Sequence, residues 1–131
     1  MLEYLLKFGV DSGIDPESIA LNYEIDITDI TLLESQINNS RKVHYNLIKL
    51  NDRLQDQYLI KKSQLSRKIR EINEKHSSRA ERTDAMDKDV EYLDLTESIA
   101  AIDDALKTIG KKIDFVKSDI RILSNSMYRK L

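Results

Sequence analysis

The 131-residue chain contains no cysteine, one proline and three glycines. Without cysteine there is no disulfide framework, no thiolate nucleophile and no Cys-based zinc site, which fits a reducing compartment. So few glycines and prolines leave little room for turns. No two glycines fall within a phosphate-cradling motif. The two histidines, His44 and His76, are too far apart for a helical ligand pair, and no serine is placed with a histidine in a way that makes a nucleophile plausible. The acidic run Asp84, Asp87, Asp89, Glu91 and Asp94 lacks the turn glycine and the distal Glu of a calcium loop. No catalytic constellation, metal or cofactor is expected. No stretch approaches the length needed to span a bilayer. The opening Met1-Leu2-Glu3-Tyr4 has no basic n-region, and Glu3 and Lys7 interrupt its apolar run, so no signal peptide is expected. These absences predict an intracellular, non-membrane protein that is not an enzyme.

What is present is helix-forming and charged: 40% hydrophobic and 34% charged residues, at a length typical of one domain. The net charge of −2 conceals a strong segregation. Residues 1–40 hold eight acids and one lysine, residues 41–82 hold twelve bases and five acids, and residues 83–131 hold eight bases and ten acids. The central third is where an anionic partner would bind. The plainer alternative is that the acidic N-terminal part folds over the basic middle and neutralises it.

The pattern predicts an all-α fold with short N-terminal helices over 1–25 and a long helical hairpin over 26–131. Leu2, Leu5, Leu6 and Val10 share one helical side, and Gly9, Ser12 and Gly13 end that helix. Asp15 caps the next one with Pro16 at its first position, and it runs to about Tyr23. Asp26 or Thr28 starts a long helix over about 29–75. Its apolar row (Ile30, Leu33, Ile37, Leu47, Leu54, Tyr58, Leu65, Ile72) is interrupted by Ser40, His44, Asn51, Lys61 and Lys68, and Asn38-Asn39-Ser40 offers a break point. Residues 76–87 lose periodicity and read as a loop or frayed helix end.

The final helix, about 88–128, carries the clearest signal. Tyr92, Leu95, Ile99, Ile102, Leu106, Ile109, Ile113, Val116, Ile120, Leu123 and Met127 follow unbroken 3-4 spacing. Acids Asp87, Asp89 and Glu91 open it, and Arg129 and Lys130 close it, which suits the helix dipole. With Tyr92 at heptad position a, branched Ile102, Ile109 and Val116 fall at d, which favours antiparallel or higher-order packing over a parallel pair. Small flanking residues, Gly110 among them, admit close neighbours. The patchy face of helix 29–75 covers only part of this row, so the remainder is expected to drive self-association. Leu95, Ile99, Ile102, Leu106, Ile109, Ile113, Val116, Ile120 and Leu123 are the expected oligomerisation residues.

Residues 61–82 contain eight bases and three acids. Lys61, Lys68, Lys75 and Arg82 recur every seven residues, and Lys62, Arg67, Arg70 and Arg79 widen the stripe. A groove edge of this kind tracks a phosphate backbone by releasing counterions. A solvated helix surface is the equally weighted alternative. Tyr58, one turn away, is a core residue before it is a base-stacking platform.

In the order of its pieces the chain resembles the UvsY family of recombination mediators of T-even-like phages over nearly its whole length. Leu2-Glu3 with Leu5 and Lys7, Ile14-Asp15 and Tyr23-Glu24 resemble the family's opening. A basic helix, a loop and Asp87-Lys88-Asp89-Val90 leading into the last helix follow in the family's order, and Lys68-Ile69-Arg70 matches its DNA-binding Lys-x-Arg element. Where the family commonly carries a Tyr-Tyr-x-Gly turn, this chain has Glu74-Lys75-His76-Ser77. The resemblance implies a ring-shaped homo-oligomer in the host cytoplasm. It would bind single-stranded DNA and help load a RecA-family recombinase while the phage single-strand-binding protein is displaced. A structural coiled-coil protein without DNA binding, such as a phage scaffold or tail-assembly factor, is the main rival, and a small dimeric helical regulator the third.

Overall fold

The computed structural model describes residues 1–21 and 24–130, with the backbone alone for Lys130. Five helices appear: α1 (Leu2–Asp11), α2 (Pro16–Ala20), α3 (Ile30–Lys75), α4 (Arg79–Lys88) and α5 (Val90–Lys130). Among the described residues there is no strand, and no helix is long and apolar enough to cross a membrane. The expected helix end at Tyr23 and the side chain of Lys130 lie outside the described residues. The chain divides into two compact units, Met1–Arg53 with Ala105–Leu131, and Leu54–Asp104. The short N-terminal helices, expected as a segment over 1–25, belong to one unit with parts of α3 and α5.

In the first unit, α1 ends in a Schellman motif. Gly13 takes φ +75°, its N–H donates to Val10 O, and the Ile14 N–H donates to Gly9 O at 2.7 Å. Gly9 does not end the helix, as its place in the sequence suggested. It is buried inside α1, and a Cβ there would run into Ile19 Cδ1 of α2. Asp15 caps α2 through the Glu17 N–H, with Pro16 in the first turn as expected. The Asn46 amide of α3 donates to the buried Ser18 hydroxyl at 3.0 Å, fixing α2 to α3.

The approach to α3 contains two successive Asp-x-Thr turns. Asp26 accepts from the Thr28 N–H and Asp29 from the Thr31 N–H. The second leads directly into the helix, so Asp29 is the cap, in place of Asp26 or Thr28. Gln36 clasps the backbone of Asp26 from both sides, at 2.6 and 2.7 Å. Leu33 and Ile37 pack with Leu123 of α5, joined by Ile25 and Met127. Val43, Leu47 and Leu50 of α3 and Ala105, Ile109, Ile113 and Val116 of α5 are buried in the same unit. No break interrupts α3 at Asn38-Asn39-Ser40, because Ser40 itself is a core position, 1% exposed.

The second unit is more thinly packed. Its buried apolar residues are Leu54 and Ile72 of α3 and Leu95, Ile99 and Ile102 of α5. Residues 79–88, expected as a loop, form α4. Its amphipathicity is slight and none of its residues is buried, so periodicity could not reveal it. The local signal is Ser78-Arg79-Ala80-Glu81, a capping-box sequence. The Ser78 hydroxyl accepts the Glu81 N–H at 3.1 Å.

The heptad row of α5 is mostly internal. Leu95, Ile99, Ile102, Ile109, Ile113, Val116 and Leu123 are buried within a single chain, and Leu106 and Ile120 are half-buried. Most of the expected oligomerisation residues are thus covered by the chain itself. Periodicity reports that a face is buried, not which chain covers it. Within the chain nothing approaches Gly110 closely, since an added Cβ would meet nothing within 4 Å.

Candidate nucleic-acid interface

The basic segment lies in the second unit, on the later turns of α3 and the first turn of α4. Lys61, Arg67 and Lys68 line a groove of about 600 Å³, together with Glu71 of α3 and Glu91 and Asp94 of α5. Cations and carboxylates are equally represented there, so the groove is not a simple phosphate track.

Lys68 is at the centre of this neutralisation. Its ammonium is 3.0 Å from Asp89 Oδ2, 3.3 Å from Glu91 Oε2 and 3.9 Å from Glu71 Oε2, and its side chain is only 17% exposed. The bond to Asp89 is the largest of the effects that raise its pKa above the ordinary lysine value, with Glu91 adding to it. Asp89 is held below the ordinary aspartate range, first by the Tyr92 N–H that donates to it and then by Lys68. It does two jobs: its Oδ1 accepts from Tyr92 at 2.8 Å and caps α5, while its Oδ2 holds Lys68. The sequence reading assigned these acids to the helix dipole and Lys68 to DNA. A signal for the pairing was present, since Lys68 precedes Ser78 by ten residues and Asp89 follows Arg79 by ten. Residues equidistant from a turn-back face one another.

Arg82, the fourth member of the seven-residue stripe, is also occupied. Its Nε donates to His76 O at 2.8 Å and its guanidinium reaches Asn73 O at 3.5 Å. These carbonyls lie at and just beyond the end of α3, so Arg82 satisfies acceptors that the helix cannot. Lys61 is half-buried on the groove wall.

The remaining five bases are exposed: Lys62, Arg67, Arg70 and Lys75 on α3, and Arg79 at the start of α4. Among the described residues none of these five is in an ion pair. The Lys62 ammonium lies 5.5 Å from the ring centre of the half-buried Tyr58, a cation–π contact. At 100° per residue the four on α3 spread around the outer side of the helix rather than along one line. They form a sleeve of charge, and the seven-residue stripe is not the exposed feature. His44 lies in the first unit with its buried Nε2 lacking a hydrogen-bond partner, and His76 contributes its carbonyl to Arg82.

No family model, curated protein or solved structure matches this chain. The functional reading therefore stands on its own residues and on the resemblance described above.

Proposed function

We propose that the chain is a non-catalytic, single-stranded-DNA-binding recombination mediator of the UvsY type. On this reading it acts in the cytoplasm of a phage-infected cell, loading a RecA-family recombinase as single-strand-binding protein leaves. The observation that carries the DNA-binding part is the sleeve of five exposed, unpaired cations at Lys62, Arg67, Arg70, Lys75 and Arg79. A flexible single strand can follow charges spread around a helix, whereas a stiff duplex needs them in line. The partner proteins rest on the resemblance alone.

The test is fluorescence anisotropy of a labelled oligo(dT) at 50 and 200 mM salt. Five phosphate contacts per chain imply a log–log salt slope of about −3.5, or roughly a 100-fold loss of affinity over that range. Weak binding that is flat in salt would refute the reading. Changing Arg67 and Arg70 together to Ala should reduce the slope by about 1.4. Lys68→Ala is the wrong probe, because it also unpairs Asp89 and Glu91.

Self-association remains part of the proposal, through a different face of α5. Phe115 and Ile122, seven residues apart, are 54% and 40% exposed and offer an apolar strip that the chain leaves uncovered. Replacing both with Ser should lower the mass seen by light scattering while leaving helicity unchanged. The second reading, a structural coiled-coil protein without DNA binding, is favoured by the internal engagement of Lys68 and Arg82. The salt experiment separates the two.

A further inference from the structure

We propose that the contact of Lys68 with Asp89 and Glu91 is an autoinhibitory clasp, in which carboxylates at the start of α5 occupy a cation of the nucleic-acid site until a phosphate chain displaces them. The inference rests on the single-strand-binding reading and adds a regulatory step to it. Three carboxylates surround the one ammonium, two of them within 3.3 Å. An incoming phosphate therefore meets negative charge at the midpoint of the Lys61–Lys68–Lys75 row, with Asp94 beside it on the groove wall. The exposed sleeve can engage a strand first, and Lys68 becomes available only after the acids withdraw.

The construction of the second unit makes withdrawal cheap. The clasp residue Asp89 is the single residue between α4 and α5. Helix α4 has no fully buried residue, and its only half-buried apolar side chains are Ala85 and Met86, so moving it loses limited apolar contact. Its hold on α3 includes Arg82, which grips the carbonyls of Asn73 and His76. Arg82 is itself a base that a phosphate can recruit. Opening the clasp thus releases two cations, Lys68 and Arg82, and loosens the connector that carries one of them. Binding is expected to be followed by faster amide exchange over residues 76–91, the reverse of the protection a rigid site would show.

The experiment compares the full-length chain with Asp89→Asn plus Glu91→Gln, using oligo(dT) anisotropy at 50 and 200 mM salt. Asn retains the ability to cap α5, and Glu91→Gln alone leaves the cap untouched if the pair perturbs folding by circular dichroism. A control pair, Asp87→Asn with Glu97→Gln, removes the same charge from two exposed residues that do not contact Lys68. The clasp variants should bind about fivefold more tightly or better, the worth of one recovered charge contact near water. Their salt slope should steepen by about 0.7, and the control should change little. Equal gains in clasp and control variants would reduce the effect to net charge and overturn the clasp. Binding by the clasp variant where the wild-type chain fails would support it strongly. If wild type binds with the expected slope but the clasp variants match it, the clasp is overturned and the DNA reading stands. If none of them binds at 50 mM salt, both fall.

Discussion

Replacing Gly110 with Ala should make the protein more stable. The residue stands in the interior of α5, where glycine is disfavoured against alanine by about 0.8–1 kcal/mol. The usual reason to tolerate that cost is a neighbour that needs the space. None exists within the chain, because a Cβ at this position would meet nothing within 4 Å. The full propensity difference should therefore be recovered. Unfolding entropy of about 2.1 cal/mol/K per residue, taken over 131 residues, gives roughly 0.28 kcal/mol/K. A gain of about 1 kcal/mol then raises Tm by about 3–4 °C. The assay is far-UV circular dichroism melting at one fixed protein concentration, since any assembly makes Tm concentration-dependent. Light scattering on the same samples completes it. A lower Tm, or a smaller particle, would refute the reasoning. Either would mean that a second copy brings its backbone against Gly110, as the small-residue flank of the heptad row first suggested.

Other outcomes follow from the packing. Ile109→Ala removes a fully buried side chain from the first unit and should cost about 2–5 kcal/mol, read as a lower denaturant midpoint with an unchanged m-value. Ser40→Ala should stabilise by about 1 kcal/mol, because the buried Ser40 hydroxyl has no hydrogen-bond partner; a loss of stability would reveal one. The clasp also sets a pH dependence. Asp89 is held below its ordinary value of 3.8, so its contribution is present above that value and is lost as pH falls through the lower folded-state value. Lys68 is held above 10.5, so its share is present below 10.5 and is lost only as pH rises through the raised value. Between about pH 4 and 10 the Lys68–Asp89 pair is intact. Melts at pH 7 and pH 3 should show a smaller acid-side drop for Asp89→Asn than for the wild-type chain. Equal drops would remove Asp89 as the titrating group.

Much of the helical layout is legible in the residues. The Pro16 start, the extent of α3 and the 3-4 row of α5 are local patterns, and local patterns survive folding. What escaped was relational. The α5 row marks a buried face, yet in the first unit, where Ile109 and Leu123 are buried, the buried α3 residues include Val43 and Leu50, which lie outside the row expected to cover it. The α3 face looked patchy because Ser40 and Lys68 sit on it; Ser40 is nonetheless buried as core, and Lys68 is turned into an ion cluster. Helix α4 escaped because it has no apolar period to find, and only its Ser78–Glu81 cap betrays it. The basic stripe was visible as charge, but a seven-residue period says nothing about carboxylates arriving from another helix. That arrival holds Lys68 internally, backbone carbonyls hold Arg82, Lys61 is half-buried on the groove wall, and the other five, Arg67 at the groove among them, are exposed.

Because no residue of α4 is fully buried, its length is only weakly dictated by packing. A peptide tag or fluorophore inserted between Thr83 and Asp84 would disturb no buried side chain, and would report directly on whether the connector swings free when a strand arrives. Over evolutionary time the same freedom would let this segment lengthen, shorten or change its charge, and so reset how tightly the cations are guarded without refolding the rest.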